Sequence, residues 1–151
     1  MKIGLTFILL LAAYACLGNL TRPQSSDLVG RWKVDITFEN QSPHSLRFVA
    51  EESGAGSLSL EPRSNWDEPA KPTQAKWKIG AAKSVTFSGP VEFPIGNVGR
   101  EPGILVFKGA FESEGKITGE LAFFPMDQNP SDPKATPSKT GKFKATRIGA
   151  P

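Results

Sequence analysis

The chain has 151 residues and a formal charge of +3, with 18 basic and 15 acidic side chains interspersed along it. No block of basic residues marks a nucleic-acid surface, and the single cysteine, Cys16, excludes an intrachain disulfide. With His44 as the only histidine, the usual His- and Cys-based zinc sites are excluded as well.

Met1-Lys2 gives a positively charged start, and residues 3–13 are almost entirely apolar. That run falls short of the about 20 residues a membrane-spanning helix needs, and it has the length of a signal-peptide core. Two readings meet at its end. Ala13-Tyr14-Ala15 is a small-x-small site for signal cleavage. Ala15-Cys16 resembles the lipobox of bacterial lipoproteins, with Ala13 where that pattern usually has Leu. The reading adopted is an acylated Cys16, with plain cleavage and secretion as the alternative. The chain is then expected to divide into a signal peptide (1–15), a polar tether (16–27) and one folded domain (28–149). Its location would be the periplasmic face of the outer membrane, or outside the cell.

From Leu28 onward the sequence alternates apolar and polar residues in short runs, the pattern of half-buried strands. Trp32, Val34, Ile36 and Phe38 share one face of the first run. Leu46 and Phe48 mark the second, Leu58 and Leu60 the third, Trp77 and Ile79 the fourth, Val85 and Phe87 the fifth. Leu105, Phe107, Gly109 and Phe111 mark the sixth, Ile117, Gly119, Leu121 and Phe123 the seventh, and Phe143 and Ala145 the eighth. No segment carries a helical stripe. Short Gly-bearing segments (52–56, 80–83 and 113–116) join runs 2–3, 4–5 and 6–7 as hairpin turns. Longer stretches, 61–73, 89–103 and 125–140, join runs 3–4, 5–6 and 7–8, and 40–44 joins 1–2. The fold predicted is all-β: an eight-stranded antiparallel up-and-down barrel with every long loop on one rim.

Gly30-Arg31-Trp32 opens the first strand and Arg147 lies near the end of the last. This pattern resembles the lipocalins and their relatives. The resemblance implies that Trp32 crosses the closed end of the barrel and that Arg147 packs over it as a cation–π contact. The domain is also similar to bacterial exported domains that open with G-x-W and end with F-x-A-x-R, here Phe143 to Arg147. Periplasmic metalloprotease-inhibitor barrels, which also open with G-x-W, usually carry a disulfide that this chain lacks.

Little in the sequence points to catalysis. His44 follows Pro43 in the predicted 1–2 loop and reads as an exposed loop residue, with no G-x-S-x-G elbow to accompany it. Glu51-Glu52 and Asp67-Glu68 are adjacent pairs, which on a strand point to opposite faces. No cofactor and no metal ligand set is expected. The inward set is rich in aromatics, so the lumen should be filled, with Gly109 and Gly119 alone opening room. Trp66, Phe93 and Ile95, on the long-loop rim, are the candidate binding residues. The expectation is a non-enzymatic exported binding or accessory domain that meets a small apolar molecule or a protein at that rim. The alternative is an inhibitor-type protein that engages a periplasmic enzyme.

Overall fold

The structure, a computed structural model, describes residues 27–39, 43–63, 68–95 and 99–150. The expected signal peptide, Cys16 and most of the expected tether lie outside the described residues. Eight strands follow in chain order: β1 (Gly30–Phe38), β2 (His44–Ala50), β3 (Ala55–Leu60), β4 (Thr73–Ile79), β5 (Ser84–Ile95), β6 (Gly99–Ser113), β7 (Lys116–Pro125) and β8 (Lys139–Gly149). Each pairs antiparallel with the next, and β8 returns to β1, so the sheet closes into an up-and-down barrel in the order β1 to β8. Alternation dictates the two faces. In β1 the residues Trp32, Val34, Ile36 and Phe38 are buried, while Arg31, Lys33, Asp35 and Thr37 are exposed. This charged exterior and apolar interior is the reverse of a lipid-facing barrel.

The 89–103 stretch is not the long loop expected from its glycines and prolines. β5 and β6 instead run on as a paired ribbon to Ile95 opposite Gly99, which leaves only 96–98 between them. β4 pairs with β5 only from Ile79↔Val85 to Lys76↔Ser88, so among the described residues no strand pairs with the far half of β5 on that edge. Thr73 Oγ1 lies 2.5 Å from the Pro90 carbonyl and 3.0 Å from that of Leu58, tying the start of β4 to both neighbours. Pro90 and Pro94 share that edge by alternation. Proline lacks the N–H an incoming strand would need, so it is tolerated here and blunts the edge.

Phenyl rings fill the lumen. Phe48, Phe87 and Phe107 form a stack, with centroids 4.5 and 4.2 Å apart and ring planes within 11°. Phe143 meets Phe87 and Phe107 edge-on, at 5.5 and 5.2 Å. All four are buried. The room expected at Gly109 and Gly119 is taken. The two glycines face each other across β6 and β7, and a Cβ on Gly109 would stand 2.9 Å from Phe143 Cζ. The absent side chain is what admits the phenyl ring.

Phe87 touches three rings at the centre of this packing. Phe87→Ala should therefore lower the unfolding free energy by about 3–5 kcal/mol, as for other buried Phe truncations. Urea denaturation followed by tryptophan fluorescence measures it; a loss below about 1 kcal/mol would mean that the stack does not carry the core.

Candidate functional site

Three regions concentrate chemistry: the closed end, the opposite mouth and the outer face. At the closed end Trp32 is wholly buried and its Nε1 donates to the Leu28 carbonyl at 2.8 Å. The Arg147 guanidinium carbon lies 4.6 Å from the Trp32 ring centroid, within cation–π range. Its Nη1 donates to the Val29 carbonyl at 2.6 Å and its Nη2 to that of Asp27. Gly30 makes this possible: its φ is +147°, and a Cβ there would come within 2.5 Å of Arg147 Nη1. Gly30, Trp32 and Arg147 thus form one latch that folds the entering chain across the barrel floor. Nη1 and Nη2 both donate to backbone carbonyls of the entering chain, so the latch holds structure.

The long-loop end is closed too. Phe93 is buried, its ring edge-on to Phe38, His44 and Phe123 at 5.4–5.5 Å. Its parity along β5 with Val85, Phe87 and Val91 places it inward as core at the mouth rather than out on the rim. Ile95 ends β5 opposite Gly99, while Trp66 lies outside the described residues. Lys139 Nζ lies 5.3 Å from the Phe123 ring centroid and 2.6 Å from Glu101 Oε2, so an ion pair covers the aromatic plug.

His44 is not an exposed loop residue. It opens β2, in step with Leu46 and Phe48, and only 9% of it is exposed. Arg63 Nη2 lies 3.1 Å from its Nε2 and 3.4 Å from its Nδ1. A guanidinium can only donate, so the imidazole accepts and is held neutral. Burial first, then the positive charges of Arg63 and Lys139, push its pKa below the ordinary 6.5. Among the described residues the ring meets the Arg63 guanidinium and the Phe93 ring. Among the described residues no three His, Cys, Asp or Glu side chains gather as a metal site.

The outer face carries the preformed concavities. The 126–138 connection between β7 and β8 is braced within itself. Asn129 Oδ1 accepts from Ser131 N (3.0 Å), Asp132 Oδ1 from Lys134 N (2.9 Å) and Gln128 Oε1 from Thr136 N (2.9 Å). Ser138 N donates to the Phe123 carbonyl at 2.9 Å, anchoring the return into β8. These short-range bonds make the connection an ordered overhang, with Pro130 placed beside the outer residues of β6. On one side of Pro130 lies a groove of about 630 Å³ with Val106, Ala122 and Phe124 as its apolar floor and Lys108, Glu120 and Lys142 along it. Phe124 points outward from the barrel and is nevertheless only 8% exposed. On the other side lies a groove of about 380 Å³ lined by Lys76, Lys78, Lys108, Thr86, Ser88 and Ser131. Sequence reading missed both grooves; the Phe123-Phe124 pair, which breaks alternation, is the one signal that pointed there.

Neither a protein-family model nor a curated protein matches the chain.

The His44 arrangement fixes a pH dependence. Its folded pKa lies below the unfolded value near 6.5, so the unfolded chain binds the proton first. Its contribution is complete above pH 6.5 and is lost as pH falls through the folded pKa. Denaturation midpoints measured from pH 7.5 down to 5 (about the range in which an imidazole titrates) should fall more steeply for the native chain than for His44→Gln. Parallel curves for the two proteins would contradict the assignment.

Proposed function

We propose that this chain is an exported, non-catalytic binding module of lipocalin-like build that holds a small apolar ligand on the outside of its barrel. The observation that carries this reading is the groove of about 630 Å³ roofed by an ordered connection, on a protein whose lumen is packed with rings. Its size and apolar floor with a few polar side chains are those of small-molecule sites. The latch of Gly30, Trp32 and Arg147 supports the lipocalin-like comparison, in which a tryptophan at the closed end lies under a basic residue. The ligand site moves from the rim to the flank because Phe93 is spent on the plug.

Export and anchoring follow from the first 16 residues. With an acylated Cys16, residues 17–26 would tether the closed end, where Arg147 holds Asp27, toward the membrane. The groove, which reaches Glu39 and Thr140 at the opposite end, would then face the periplasm or the medium.

The ligand reading is tested by fluorescence titration with N-phenyl-1-naphthylamine, an uncharged apolar probe. The native chain should bind it saturably. Ala122→Trp, which fills the groove floor without touching the lumen, should weaken binding at least about tenfold. Unchanged binding by a folded Ala122→Trp protein would remove the groove from consideration. Anchoring is read from the mass of the membrane-extracted chain: an acylated Cys16 as first residue is expected, and an unmodified Cys16 would exclude it.

A further inference from the structure

The two grooves flanking Pro130 share Val106 and Lys108, yet their chemistry differs. The larger has an apolar floor. The smaller has three lysines and three hydroxyl side chains and no carboxylate in its lining. Antiparallel register sets Lys78, Thr86 and Lys108 in one row across β4, β5 and β6, with Lys76, Ser88 and Val106 in the row beside it. Neighbouring strands are about 4.8 Å apart and alternate residues about 6.8 Å, so the three lysine Cα atoms sit within about 12 Å of one another. Their flexible stems can bring three ammonium groups to a single anion. None of the three forms an ion pair among the described residues. Glu120, opposite Lys108 on β7, lines the apolar groove and not this one.

We infer that the ligand is an amphiphilic phosphate monoester, with its apolar tail in the groove over Val106, Ala122 and Phe124 and its head on Lys76, Lys78 and Lys108. The inference rests on the groove reading above and adds the head group to it. A phosphate monoester carries close to two negative charges and three acceptor oxygens, which matches several ammonium donors and hydroxyls better than a single carboxylate does. Lys108 and Pro130 line both grooves, so they mark the junction between tail and head.

Calorimetric titration of the full chain with three probes tests this: dodecyl phosphate below its micelle concentration, 1-dodecanol, and inorganic phosphate. Dodecyl phosphate should bind at least about tenfold more tightly than 1-dodecanol at low salt. That advantage should shrink as salt rises, because the head site is exposed to screening. The double variant Lys76→Gln/Lys78→Gln, whose positions line only the cationic groove, should keep the 1-dodecanol affinity and the native melting temperature and lose the advantage of the phosphate. Equal affinities for dodecyl phosphate and 1-dodecanol in the native chain would overturn the head site and leave the apolar groove standing. Inorganic phosphate binding as tightly as dodecyl phosphate would overturn the amphiphile in favour of a plain anion site. Failure of both dodecyl probes to bind would overturn the groove reading and this inference together.

Discussion

The stacking of Phe48, Phe87 and Phe107 across the lumen is the constraint on which the rest of this protein depends. An eight-stranded barrel is just wide enough to hold either side chains or one small ligand. Here three parallel rings, closed from the side by Phe143, take that space. The facing glycines 109 and 119, which on sequence would have opened a cavity, instead admit the fourth ring. A lumen filled this way leaves its own side chains in the place a ligand would take, which is why the binding site is proposed on the outer face.

Both ends repeat one device, a cation resting on a buried aromatic. Arg147 covers Trp32 at the floor and Lys139 covers Phe123 at the mouth. The two differ in what the cation does with its remaining donors. Arg147 donates from Nη1 and Nη2 to carbonyls of the entering chain, fastening residues 27–29 to the barrel, and Gly30 is the residue that leaves room for it. Lys139 spends its charge on Glu101, a partly exposed pair worth little in itself but enough to give the plug a polar cover. Next to it, Arg63 and the neutral His44 extend that cover.

Strand number, order and facing were legible because β1 to β8 each keep the period-2 pattern over several residues. The reach of β5 and β6 was not, because Gly89, Pro90, Pro94 and Gly103 read as breakers. A proline breaks a strand only where a neighbour needs its N–H, and among the described residues no strand pairs with the edge bearing Pro90 and Pro94. Phe93, within the 89–103 stretch, and His44, after Pro43, read as loop residues in the sequence, although each is in step with buried residues two positions away. The grooves were hidden for a different reason. The Asn, Asp, Pro and Ser content of 126–138 announces turns. Which way the resulting overhang leans depends on packing against β6, a contact distant in sequence.

The proposed binding site lies outside the lumen. Isotope-edited nuclear Overhauser spectra of the full chain with 1-dodecanol test it most directly. Contacts are expected from the ligand methylenes to the methyl groups of Val106 and Ala122, and none to those of Val34, Ile36 or Leu46 inside the barrel. Contacts to the interior methyl groups, with Val106 and Ala122 silent, would contradict it.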